Sequence, residues 1–183
     1  MIKEKVLLAK LKSKDKQAFA EVYDLFVDKI YRFVYFKVNN QAEAEDLTSS
    51  IFLKAWNHIQ QNSVSDYKTL PSLIYTIARN TVIDYYRKVS REEISSYENN
   101  PEALNVIDES HNIGKKLLLD EEMSNITDKL SLLKDEYREA IILRYIDELS
   151  INEIAIILNK SRGNARVLCF RALSALKELV EKN

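Results

Sequence analysis

The sequence predicts an all-α protein of two small helical domains joined by a flexible acidic linker, with a helix-turn-helix in the C-terminal domain. Three observations lead there. Apolar residues recur at i, i+3, i+4 and i+7 through most of the 183 residues, the spacing of an amphipathic helix. Only two Gly and two Pro occur, too few for the turns of a β protein. The charge is also divided along the chain. Residues 1–90 carry 14 basic and 10 acidic residues, whereas residues 91–130 carry 4 and 10. The domains are therefore expected at 1–90 and 117–183, with 91–116 as the linker.

Residues 3–13 suit a short helix. Asp15 can cap a long one reaching Val38, with Phe19, Val22, Phe26, Ile30, Phe33 and Val34 inward. Asn39 and Asn40 mark a turn. A helix over 41–59 then places Leu47, Ile51, Phe52, Ala55, Trp56 and Ile59 inward and leaves Asp46, Ser49 and Ser50 exposed. The polar run from Gln60 to Thr69 reads as a loop. Pro71 is acceptable at the start of a third helix, expected over 72–88, whose inner arc holds Ile74, Ile77, Ala78, Val82 and Tyr85. Tyr75, Thr76, Arg79, Asn80, Ile83, Tyr86 and Arg87 fall on its opposite arc. Such a surface can stack on unpaired bases and neutralise phosphates, although a merely solvated face has the same composition.

After the Ser-, Asn- and Glu-rich linker, a helical pattern resumes near Leu117, and a further helix is expected over 134–146. Asp147 and Glu148 end it. Ser150 and Glu153 have the spacing of a capping box, so a helix should start at Ile151 and bury Ile154, Ala155 and Leu158. Ser161 is a natural cap for the next helix. There Ala165, Leu168, Cys169, Ala172 and Leu176 share an inner arc, while Gly163, Arg166, Val167, Phe170, Arg171, Ser174 and Lys177 face out. From Lys160 to Lys177 five residues are basic and none is acidic. Two helices around so short a turn form a helix-turn-helix, whose basic second helix suits the DNA major groove. An ordinary helical hairpin with a solvated basic face fits the same spacing.

The single Cys169 excludes a disulfide framework and reads as a small buried hydrophobe. His58 and His111 are far apart, and no metal-ligand spacing, phosphate-cradling Gly loop or nucleophile-base pair is evident. No cofactor and no catalytic activity are expected. No apolar run approaches the roughly 18 residues of a membrane span, so a cytoplasmic protein without membrane insertion of its own is expected.

The motifs AEDLTSSIFLKAW, LIYTIARNTVIDYYRK and LKDEYREAIILRYIDELSINEIAIILNKSRGNARVLCFRAL resemble those of the extracytoplasmic-function (ECF) sigma factors, sigma-70-type proteins that keep only regions 2 and 4. The likeness covers nearly the whole chain. It implies a transcription initiation factor with RNA polymerase core enzyme and promoter DNA as partners, and an anti-sigma factor as a regulator. Asp46 and Ser49 would contact polymerase; Ser49 stands where the family usually has Gln. Tyr75, Arg79, Asn80, Tyr86, Arg87 and Lys88 would bind the minus-10 element as it opens, with a base pocket in the 61–69 loop. Leu73 occupies a position that is often Trp. Lys160, Ser161, Arg162, Asn164, Arg166, Val167, Arg171 and Lys177 would read or flank the minus-35 duplex. Leu168 replaces a usual cation. A stand-alone helix-turn-helix regulator, or an interaction module without promoter activity, are the competing readings.

Overall fold

A computed structural model describes residues 2–61, 69–99 and 128–181. Among them the regular structure is entirely helical. Helix α1 spans Ile2–Lys12, α2 Lys16–Val38, α3 Gln41–Gln61 and α4 Leu70–Asn99. The C-terminal part contains α5 (Asp135–Ile141), a π-helical turn (Ile142–Ile146), α6 (Ile151–Ile157) and α7 (Arg162–Glu181).

Local chemistry sets the boundaries. Asp15 Oδ1 accepts the backbone N–H groups of Gln17 and Ala18 at 2.8 and 3.2 Å, satisfying two donors that a helix start leaves unpaired. Asn39 ends α2 in the left-handed conformation, φ 51°, a region that Asn tolerates better than most residues. Helix α4 outruns the expected end at Lys88 by 11 residues, through Asn99. The corresponding part of the expected linker is helical because the segment from Val89 to Asn99 holds no Gly or Pro. Its Ser, Asn and Glu residues make a polar helix rather than a break. Residues 100–127, which include the rest of that linker and His111, lie outside the described residues, as does 62–68.

The single helix expected over 134–146 is instead α5 continued by the π turn, in which the Asp147 N–H donates to the Ile142 carbonyl, five residues back, at 2.9 Å. Arg138 grips the preceding stretch of chain, donating to the carbonyls of Leu130, Ser131 and Leu133.

Helices α1 to α4 form one bundle. Val22, Phe26, Ile30 and Phe33 of α2 meet Ile51, Ala55 and Ile59 of α3 and Leu73, Ile74, Ala78 and Val82 of α4, all buried. Phe19 lies against Trp56 and Tyr23 against Phe52, with ring centroids 5.0 and 4.7 Å apart. In the C-terminal unit Ala140, Ile141, Ile154, Ala155, Ile157, Ala165, Leu168, Cys169 and Ala172 are buried together. The two units share a continuous apolar core, because α6 packs against α4.

Candidate nucleic-acid interface

The helix-turn-helix is fixed by its caps. Ser150 Oγ accepts the Glu153 N–H at 3.3 Å while Glu153 Oε2 accepts the Ser150 N–H at 2.9 Å. Both halves of the capping box are therefore present. After α6 the chain turns through Asn159, φ 51°. Ser161 Oγ accepts the Asn164 N–H at 3.2 Å, starting α7 at Arg162. The buried face of α7 is the expected one at Ala165, Leu168, Cys169 and Ala172, and Leu176 is half-buried. Burial pushes the Cys169 thiol up, so it stays protonated.

Ser161, Arg162, Asn164, Arg166, Val167, Arg171 and Lys177 are exposed on one surface, and Lys160 is partly exposed at its edge. Lys160 is not free: its Nζ lies 2.7 Å from Glu136 of α5. Phe170, 70% exposed, belongs to the same surface. The helical arc places it outward with Arg166, Val167 and Arg171, but it is not among the expected site residues. Its exposed ring is suited to apolar contact with a thymine methyl.

The α4 surface differs from expectation most at Tyr75, and Thr76, Arg79 and Ile83 of the outward arc are only partly exposed. Asn80, Tyr86, Arg87 and Lys88 are exposed, but Tyr75 is wholly buried. Tyr75 lies edge-on to Phe33, with centroids 5.5 Å apart. The helical wheel assigns it outward because a wheel allows for one buried face, whereas the C-terminal unit covers a second face of α4. Burial, and secondarily the Asp147 carboxylate, push the Tyr75 hydroxyl well above the usual phenol range, with Arg32 acting the other way. The Tyr75 hydroxyl and Asp147 Oδ2 are both buried without a protein hydrogen-bond partner. They line a cavity of about 530 Å³ between the units, together with Phe26, Leu70, Leu149 and Ser150.

Arg79 is only partly exposed, its Nε 3.1 Å from Glu139 of α5. Tyr86 donates its hydroxyl to the Lys37 carbonyl at 2.6 Å, and Arg87 lies 3.4 Å from Asp84. Leu73 is fully buried and Leu168 nearly so, so both departures from the sigma pattern are packing positions here. On α3, Asp46 and Ser49 are exposed, as is Leu53; the Ser49 hydroxyl donates to the Glu45 carbonyl.

Glu139 is 2% exposed as a residue. Burial lifts its carboxyl above the ordinary 4.5, Lys37 and Arg79 pull it back, and Asp135 adds to the rise. A raised value means that folding takes up a proton. The associated stability is complete below 4.5 and is lost as the pH climbs through the raised value. Urea denaturation from pH 4.5 upward should therefore show wild-type stability declining relative to Glu139→Gln, which lacks this proton. Parallel profiles would disprove the assignment.

Among the described residues there is no group of three or more acidic, His or Cys side chains able to hold a metal, and no helix is long and apolar enough to cross a membrane. A helical bundle followed by a capped helix-turn-helix with a basic outer face has the make-up of a DNA-binding protein. The Sigma-70 region 2 family matches residues 22–92, and the Sigma-70, region 4 family matches residues 123–176. More narrowly, the chain belongs to the ECF RNA polymerase sigma factors, which are transcription initiation factors and not enzymes. It is 32% identical to ECF RNA polymerase sigma factor SigW of Bacillus subtilis (strain 168), over 97% of this chain and 96% of that one. It is also 32% identical to SigM of the same organism, over 88% and 94%. The fold is similar to CnrH in its complex with the cytosolic domain of CnrY, with a TM-score of 0.70, 18% identity and 99% of each chain covered. It is likewise similar to the sigma factor RpoE bound to the anti-sigma factor NepR from Bartonella quintana, with a TM-score of 0.72, 24% identity, and 89% and 96% covered.

Proposed function

We propose that this chain binds core RNA polymerase through the exposed face of α3 around Asp46 and Ser49 and delivers it to a restricted set of promoters. In this reading α7 recognises the minus-35 element as duplex. Arg162, Asn164, Arg166 and Val167 approach base edges, while Lys160, Ser161, Arg171 and Lys177 hold phosphate. Helix α4 then captures the minus-10 element as it opens, through Arg79, Asn80, Tyr86, Arg87 and Lys88. Tyr75 acts from beneath that surface unless the units part. The observation that carries the reading is the presence in one chain of both sigma regions, with five basic and no acidic residues from Lys160 to Lys177 on the helix-turn-helix. Neither surface need bind DNA tightly alone, since polymerase joins them and raises the effective concentration of the second contact.

The reading places the protein in the cytoplasm, where polymerase acts. The two similar solved structures are complexes, one with the cytosolic domain of CnrY and one with an anti-sigma factor, and an anti-sigma factor is proposed for this chain by likeness.

Purified chain added to core polymerase should give discrete, promoter-specific transcripts from a genomic template. Asn80→Ala should keep binding to the upstream duplex but lose opening, read as reactive unpaired thymines. Equal loss of both would refute the division of labour, and folded protein yielding no specific transcript would refute the function.

A further inference from the structure

The α4 surface assigned to opening DNA is partly occupied by the chain's own C-terminal unit. Arg32 of α2 places its guanidinium 2.7 Å from Asp147, whose side chain is fully buried. Lys37, at the end of α2, lies 2.9 Å from Asp135 and 3.8 Å from Glu139. Arg79 of α4 lies 3.1 Å from Glu139. Every cation in this set belongs to the N-terminal bundle, and every carboxylate belongs to the segment between the start of α5 and the start of α6. The same segment covers Tyr75.

We propose that Asp135, Glu139 and Asp147 form an intramolecular latch, a row of carboxylates that occupies cations of the bundle and keeps the α4 surface from single-stranded DNA until the units separate. The inference rests on the minus-10 role given to α4 above. A carboxylate and a phosphate offer the same partner to a guanidinium, a pair of anionic oxygens, so Arg79 cannot serve both at once. Buried charges are held in place because removing one partner strands the other. Separation therefore becomes favourable when every group regains water or a new counter-ion together. DNA phosphates supply that exchange for Arg79, and water supplies it for Asp147. Glu139 stands between two of these cations, 3.8 Å from Lys37 and 3.1 Å from Arg79.

The test uses the full chain in a Cys169→Ala background, with donor and acceptor dyes on Asp24→Cys and Glu178→Cys, both exposed positions. Energy transfer and the affinity for a random single-stranded oligonucleotide pool are measured for this parent, Arg32→Glu and Lys37→Glu, each of which sets a carboxylate against the row. Arg32→Glu adds negative charge, so a gain in DNA binding cannot come from bulk attraction. The expected result is lower transfer together with tighter binding; if the closed form holds nine-tenths of the chain, opening raises apparent affinity about tenfold. Unchanged transfer in folded variants overturns the latch, and so does opening without a gain in binding. Arg32→Ala, which only removes the pair, replaces Arg32→Glu if that variant fails to fold by circular dichroism. Transcription by the unlabelled wild type with core polymerase separates the two readings. A transcribing wild type with variants that stay closed defeats the latch alone, while no transcription defeats the promoter role.

Discussion

Phe33→Ala is expected to lower the free energy of unfolding by about 3–5 kcal/mol, the usual cost of emptying a fully buried aromatic site. Phe33 is entirely buried in α2 and meets Tyr75 of α4 edge to face. Its ring therefore contributes apolar burial and an oriented aromatic contact. It also sits next in sequence to Arg32, which reaches across to Asp147. A cavity at this point would loosen the bundle and the seam with the C-terminal unit together. Urea denaturation followed by circular dichroism is the measurement, and Phe33→Leu should recover much of the stability because the void is smaller. A Phe33→Ala variant within about 1 kcal/mol of wild type would mean that the surrounding side chains collapse into the space.

Arg166→Ala should remove roughly 1–3 kcal/mol of discrimination at one base pair of the upstream element if the guanidinium makes a bidentate contact there. Arg166 is exposed on the second turn of α7, next in sequence to the buried Ala165 that anchors the helix. Lys177, farther along the helix, should behave differently when replaced by Ala. Removing a cation that faces phosphate weakens binding to every sequence alike and reduces its salt dependence. Binding to a promoter set carrying every single substitution in the upstream element, at fixed salt, distinguishes the two patterns. A uniform weakening from Arg166→Ala would assign it to phosphate.

The helix-turn-helix is legible in the sequence almost to the residue because its boundaries are local chemistry: Ser150 and Glu153 cap one helix and Ser161 the next. Asp15 and Asn39 frame α2 for the same reason. The extension of α4 is hidden because its polar composition resembles a break, although no Gly or Pro interrupts the helix before Pro101. Tyr75 is misplaced by the helical wheel because its burial depends on a unit more than fifty residues away. The Arg32–Asp147 and Arg79–Glu139 pairs join residues whose nearness is a property of tertiary packing, and no periodicity encodes it. The candidate residues on α7 are accessible to reading because one helix carries nearly all of them. Those on α4 are only partly so, because a second unit decides which of them reach solvent. The base pocket expected at 61–69 falls almost wholly outside the described residues.

The π turn at Ile142–Ile146 gives the chain a kind of information that no side chain carries, namely a count. A π turn holds one residue more than the α-helix around it would need, and each residue of an α-helix advances the chain by about 100°. That surplus residue fixes the phase at which the backbone leaves α5, and so decides which way Asp147 and the whole helix-turn-helix face. Point substitutions in this turn change what is packed there, whereas a one-residue deletion would turn the helix-turn-helix relative to the bundle that supports it. At this joint, aim is written in length.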